Sequence, residues 1–255
     1  MYVVELCFPG ATSCDLDTVS HKVNGLLGAL RMNGQVCGRE WPLTFRDADG
    51  ITVVLTPDRD SLEHVRANKY VQRALTELLD AGLRDPTITI VGEDIDGAAS
   101  CTCATNESYI LFTNYLSLEP PLRCGNCFHP IPLHRIPSTY DNEYSDIICW
   151  QSDYQACDML QMNSSTLERA TVRELSQPDS SLSRRGIEIC TKIFQATGVP
   201  VYYYLFRYGA RSKKKERERT CPSCGGSWLR ETPWHLFDFK CDTCRLLSNI
   251  AWDVR

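Results

Sequence analysis

Asp47-Ala48-Asp49-Gly50-Ile51-Thr52-Val53-Val54-Leu55-Thr56 decides how the first hundred residues are read. The Asp-Ala-Asp-Gly tetrad carries the short polar residues and glycine that tight hairpin turns need. The β-branched run behind it is a strand, and residues 38–46 supply the arm in front. Working toward the N-terminus, Leu16, Val19, Val23, Leu26, Leu27 and Leu30 recur at helical spacing, with Asn33-Gly34 as the stop. Residues 2–8 form a strand ended by Pro9-Gly10. Toward the C-terminus, Pro57-Asp58 leads into a second helix expected from Asp60 to Ala81, with Leu62, Val65, Val71, Leu75 and Leu78 on one face. Gly82 caps it, and Thr87-Ile88-Thr89-Ile90-Val91 is the next strand. The order β-α-β-β-α-β is that of the ferredoxin-like split unit, so residues 1–95 are expected to form a ferredoxin-like α+β domain.

Residues 96–210 read as a second, central α+β region. A polar loop over 93–108 holds Cys101-Thr102-Cys103, Tyr109-Ile110-Leu111-Phe112 is a strand, and a proline-rich stretch surrounds Cys124-Gly125-Asn126-Cys127. Ile147-Ile148-Cys149-Trp150 is expected as a short strand, and helices are expected over 152–161 and 166–176. Another starts at Pro178-Asp179-Ser180-Ser181 and stops at Gly198. Val201 to Tyr208 is a strand with Tyr202, Tyr204, Phe206 and Tyr208 on one face. Such a face is expected to be core before it is expected to stack bases. Residues 211–255 form the last part, a basic linker followed by short strands near 227–230, 236–240 and 246–252.

The chain has 14 cysteines in 255 residues. Met1-Tyr2-Val3-Val4-Glu5 has no basic leader, and no apolar run approaches the ~20 residues of a membrane helix, so a cytoplasmic protein is expected. In that compartment clustered cysteines point to metal before disulfides. Cys221-x-x-Cys224 and Cys241-x-x-Cys244 are separated by 16 residues, which is zinc-ribbon spacing. Each pair aims two sulfurs at one centre, and four thiolates close a tetrahedron with no position left for a catalytic water. A segment this short buries too little to fold alone, so its metal is expected to supply folding energy. Cys101-x-Cys103 with Cys124-x-x-Cys127, 20 residues apart, is expected to hold a second zinc. The other readings there are ordinary buried thiols, or His129 or His134 replacing one cysteine. The six isolated cysteines, Cys7, Cys14, Cys37, Cys149, Cys157 and Cys190, are expected to fill core.

Hydrophobic residues make up 43% and charged residues 23%, an ordinary globular composition that excludes disorder and fibrous repeats. The charge is uneven. Residues 1–100 carry nine basic against 15 acidic groups, residues 101–200 seven against 11, and residues 201–255 eleven against six. The basic excess centres on Arg211, Lys213, Lys214, Lys215, Arg217 and Arg219, expected to be a solvated run able to contact phosphates or another partner. One zinc bound by four thiolates would subtract two charges from that segment. Of Trp228, Trp234 and Trp252, at least one is expected to fill a small core, and an exposed one would mark a contact site. The phosphate-loop, dinucleotide, nucleophile-elbow, HExxH and deaminase motifs are all missing, so no catalytic residue is assigned and a non-enzyme is expected.

The C-terminal half resembles a bacterial family of zinc-ribbon-containing proteins of uncharacterised function. The resemblance rests on Arg123-Cys124-Gly125-Asn126-Cys127 with Ile131-Pro132-Leu133-His134, on Asp179-Ser180-Ser181-Leu182-Ser183, on Val199-Pro200-Val201-Tyr202-Tyr203-Tyr204-Leu205, and on the stretches Arg219–Trp228 and Phe237–Leu246. It implies a structural zinc site and nucleic-acid binding, the latter inferred for the family from the ribbon itself. Two functions are therefore expected. The first is binding of nucleic acid or a ribonucleoprotein through the basic C-terminal ribbon. The alternative is a protein-binding adaptor, or an immunity-type inhibitor whose acidic body neutralises a basic toxin. Neither involves a membrane, and no small-molecule substrate is evident.

Overall fold

The computed structural model describes residues 1–255 and divides into two compact units. The first comprises Met1–Cys101 with Leu118–Pro120 and His129–Ser145. Its elements are β1 (Tyr2–Phe8), α1 (Leu16–Met32), β2 (Thr44–Arg46), β3 (Asp49–Thr56), α2 (Lys69–Asp80) and β4 (Thr87–Glu93). The sheet order is β2-β3-β1-β4, and every pair is antiparallel. This is the split βαββαβ arrangement that the alternating periods of the sequence imply. β1 runs against β3 from Tyr2↔Thr56 to Phe8↔Gly50. That register turns Val4, Leu6 and Phe8 to one face, where they pack with Val19, Val23, Leu26 and Leu27 of α1 and with Val71 and Leu78 of α2. Arg46 pairs with Asp49, so the hairpin turns on Asp47 and Ala48, with Asp47 left-handed at φ 56°.

Two expectations about this unit change. The second helix starts at Lys69, not Asp60. Asn68 accepts from the N–H groups of Tyr70 and Val71 and caps it. Upstream, the Ser61 hydroxyl accepts the Asp58 N–H and ties residues 58–61 into a loop, and Val65 is left 84% exposed. The unit also extends beyond residue 95. Tyr144 donates its N–H to Met32 O at 2.8 Å, Arg135 Nε donates to Asp58 Oδ2 at 2.8 Å, and Leu133 lies where a Cβ on Gly34 would fall, 2.8 Å from its own Cβ.

The second unit comprises Thr102–Ser117, Pro121–Phe128 and Asp146–Arg255. Its sheet joins β5 (Tyr109–Leu111), β6 (Leu122–Cys124), β7 (Val201–Leu205), β8 (Leu229–Trp234), β9 (Phe237–Cys241) and β10 (Leu246–Ser248) in the order β6-β5-β7-β10-β9-β8. β7 is central and parallel to both β5 and β10. All five of its residues are buried, so Tyr202 and Tyr204 are core, as expected, but the strand ends at Leu205, Phe206 is half-buried and Tyr208, expected on the same face, is exposed. α3 (Ser145–Asn163), α4 (Glu168–Ser176) and α5 (Ser181–Thr197) complete the unit. α5 comes so close to β7 at Gly186 that a Cβ there would lie 2.1 Å from the Tyr203 ring and 2.8 Å from Trp150 Nε1.

Ile147-Ile148-Cys149-Trp150 is helical, inside α3, and not a strand. The buried residues Ile147, Trp150, Tyr154, Asp158 and Gln161 follow a three-to-four-residue spacing that the β-rich tetrapeptide hides. Nor do residues 211–255 stand apart. Their strands continue the sheet of β5–β7 through the parallel β7–β10 pair, so this segment shares a core instead of relying on a small one of its own.

Candidate metal centres and the basic segment

Two sets of four cysteines converge. In each, one sulfur from every residue lies within 4.8 Å of the others: Cys221, Cys224, Cys241 and Cys244 in one set, Cys101, Cys103, Cys124 and Cys127 in the other. His129 and His134 do not replace a cysteine. In the first set Cys224 Sγ lies 3.7 Å from Cys241 Sγ. Tetrahedral coordination with metal–sulfur bonds of ~2.3 Å requires sulfur–sulfur distances of about 3.8 Å, so the spacing fits a closed four-thiolate metal site.

The backbone is shaped for that task. Each C-x-x-C turn is followed by a left-handed residue: Gly225 at φ 72° after Cys224, Arg245 at φ 53° after Cys244, and Phe128 at φ 64° after Cys127. Two of these are not glycine, and the conformation disfavours residues with a Cβ, so the turns are held by their surroundings. Arg245 is pinned with its guanidinium 4.0 Å from the Phe194 ring, and Phe128 stacks on His235 at 5.0 Å. Backbone N–H groups point at sulfur: Cys244 N lies 3.4 Å from Cys241 Sγ, and Asn126 N 3.3 Å from Cys124 Sγ. Such donors favour thiolate, the form that binds metal. The Gly226 N–H, followed by the neighbouring thiols, lowers the Cys224 thiol to about 7, whereas burial raises the Cys241 thiol to about 12.

Among the isolated cysteines, Cys37 and Cys190 are buried, as expected, and burial raises the Cys37 thiol to about 12. Cys149 is exposed on α3 and fills no core.

Profiles of three domains of unknown function match in succession: DUF8589 over residues 1–92, DUF2310 over 103–206 and DUF8594 over 210–254. An uncharacterised protein of Haemophilus influenzae is 38% identical over 259 residues, covering 99% of each chain. The chain belongs to the same family as that protein. A second uncharacterised protein of this organism is 39% identical over 165 residues, which is 64% of this chain and 81% of that one. A crystal structure titled as a putative antibiotic biosynthesis monooxygenase from Deinococcus radiodurans covers 38% of this chain and 97% of its own at 15% identity, with a TM-score of 0.27. A likeness that weak carries no argument. Both relatives are bacterial proteins, and nothing in these matches assigns a metal or a ligand.

A third group, Asp58, Asp60 and His134, also brings three potential ligand atoms within 4.8 Å. Arg135 Nη2 lies 2.7 Å from Asp58 Oδ2, and Arg66 pairs with Asp60. His134 Nε2 is 3.3 Å from Asp58 Oδ2. With both carboxylates matched by guanidinium groups, this is a charge-paired tie within the first unit. It leaves no excess negative charge to attract a cation.

The basic run is partly helical, with α6 spanning Lys213–Arg217 and capped by the Ser212 side chain. Its six candidates separate into two groups. Arg211, Lys213, Lys214, Lys215 and Arg217 are exposed and make no ion pair. Arg219 turns inward. Its Nε lies 3.0 Å from Glu216 Oε1, its Nη2 donates to Ser248 Oγ and Asn249 O at 3.1 Å each, and its guanidinium packs over the rings of Trp228 and Phe239 at 4.8 and 4.3 Å. Arg207 grips the other side of the buried Glu216. Arg219 is therefore part of the core that seats the Cys221 turn. The sequence pattern misses this because it cannot show that Glu216 is buried.

Of the three tryptophans after residue 211, Trp228 is buried, Trp252 is 56% exposed, and Trp234 is half-buried on the wall of a cleft with Arg230 and Lys240. Sequence reading names neither of those two cations. Arg230 and Lys240 belong to different strands, and only the β8–β9 pairing brings them to one place.

Proposed function

We propose that this chain is a non-enzymatic zinc protein that binds nucleic acid, or a ribonucleoprotein, through the basic segment in front of Cys221. In this reading both four-cysteine sets hold zinc as structural ions, since four thiolates leave no open coordination position. The observation that carries the binding reading is the division within the run. Arg219 and Arg207 are consumed by Glu216, while five cations between Arg211 and Arg217 are exposed without an acidic partner. A short helix with no tertiary partner for its cations suits phosphate contact, which positions a nucleic acid without reading its bases.

The test is binding of short RNA and DNA at several salt concentrations, for wild type and for Lys213/Lys214/Lys215→Ala. Binding is expected to weaken with salt, and the slope of log K against log salt to shrink by ~1 for each phosphate contact removed. Absence of binding at low salt, or a slope that the triple substitution leaves unchanged, defeats the reading.

The alternative, a protein-binding adaptor or immunity-type inhibitor, is supported by the loop after β4. There Ile95 is 95% exposed between Glu93, Asp94 and Asp96. An exposed apolar side chain flanked in sequence by three acidic residues suits a basic protein surface. That reading leads if the nucleic-acid test fails.

A further inference from the structure

We propose that the cleft between the Cys124–Cys127 turn and the β8–β9 hairpin takes one nucleotide of a single strand, with its phosphate on Arg230 and the amino edge of its base on Glu107. The proposal deepens the nucleic-acid reading and rests on it. The cleft holds about 390 Å³, within the range of sites that enclose a small ligand. One wall is built by the hairpin. Trp234 donates its indole N–H to Gly125 O at 3.1 Å and meets the Tyr202 ring edge-on at 5.2 Å. Lys240 Nζ lies 4.7 Å from the Trp234 ring and 2.6 Å from Asp242 Oδ1, and Tyr202 donates its hydroxyl to the same carboxylate at 2.6 Å. These contacts hold the wall in shape without a ligand and partly neutralise Lys240, so the direct phosphate contact falls to Arg230. That residue is exposed, and its only side-chain bond is from Nε to Thr232 O at 3.3 Å.

The opposite wall carries Asn126, whose Oδ1 accepts the Glu107 N–H at 3.3 Å, leaving its amide group to donate. Glu107 lines the cleft with its carboxylate free of any ion pair. Arg230 and Glu107 thus share one cleft, carry opposite charges and do not pair with each other. A ligand that satisfies both must present an anion at one end and a hydrogen-bond donor at the other. A nucleotide with an exocyclic amine does so, and carboxylate acceptance from such an amine is an established base contact. A base inside a duplex is stacked and cannot enter a cleft, whereas a single strand can splay one out, so the ligand is a single strand, and adenine, cytosine or guanine is selected over uracil.

The experiment uses the full metal-loaded chain and labelled hexamers of oligo(C), oligo(A) and oligo(U), read by fluorescence anisotropy at low salt. Wild type is expected to bind oligo(C) and oligo(A) about tenfold more tightly than oligo(U), the low end of what one good base contact discriminates. Glu107→Gln is expected to erase the preference without weakening oligo(U). Arg230→Ala is expected to weaken all three by about tenfold and keep the preference. Equal binding of the three hexamers by wild type, or no effect of either substitution, overturns the cleft. If Lys213/Lys214/Lys215→Ala abolishes binding while Arg230→Ala and Glu107→Gln do nothing, the basic segment stands and the cleft falls. If no hexamer binds wild type, the cleft falls, and the basic segment stands or falls by the salt series with longer RNA and DNA.

Discussion

Replacing Arg219 by alanine separates a structural cation from the phosphate-binding ones beside it. The guanidinium donates to two neutral acceptors, Ser248 Oγ and Asn249 O, in residues only 1% and 2% exposed. It also shares with Arg207 the charge of Glu216, itself 2% exposed. Hydrogen bonds from a charged donor contribute ~1.5–3 kcal/mol each, and breaking a buried ion pair costs about 3–5 kcal/mol. These overlap because one group serves both, and Arg207 still partners Glu216 afterwards, so the expected loss is about 4 kcal/mol. With a urea slope near 2–3 kcal/mol per M, the midpoint falls by about 1.5 M. The assay is urea unfolding of the metal-loaded protein followed by tryptophan fluorescence, since Trp228 lies against the site and donates its indole N–H to Arg219 O, a contact that alanine keeps. The salt slope of nucleic-acid binding should not change. A loss below 1 kcal/mol together with a slope reduced by ~1 would refute the argument and return Arg219 to the phosphate-binding set.

Elemental analysis should find two zinc ions per chain, falling to one with Cys124→Ser or Cys221→Ser, and content unaffected by a substitution removes that site. Gly186→Ala should destabilise the protein by about 2–3 kcal/mol in denaturant titration, because both atoms its Cβ would strike belong to rings packed in the core, and neutral behaviour would show that α5 can draw back from β7. Burial raises the Asp158 carboxyl above its ordinary value, against a smaller opposite effect of the Tyr115 N–H. A raised value means stability that is complete below the unfolded pKa of ~3.9 and lost as pH rises through the folded one. Asp158→Asn, which keeps an acceptor for Tyr115, should therefore flatten the stability profile on the acidic side of neutrality, and an unchanged profile would show that the charge is solvated.

Much of this protein follows from residue order alone. The βαββαβ unit is legible because its periods switch cleanly between two and 3.6 and its turns carry their own residues, Asp47-Ala48-Asp49-Gly50 among them. The cysteine sets are legible because C-x-C and C-x-x-C already place two sulfurs of each site in one turn. Local chemistry was less decisive where two signals competed. Asn68 captured the start of α2 although the apolar pattern runs back to Leu62, and β-branched Ile147 and Ile148 went to a helix because its other positions were buried. What the tertiary structure decided involves partners distant in sequence. It folds the last 45 residues into the sheet of β7, turns Arg219 from the surface to Ser248 and Asn249, and sets Arg230 and Lys240 opposite Glu107. Such choices rest on pairings across tens to more than a hundred residues, where the burial of one group fixes the role of another. A linear pattern records the type and spacing of residues but not which of their faces loses its water.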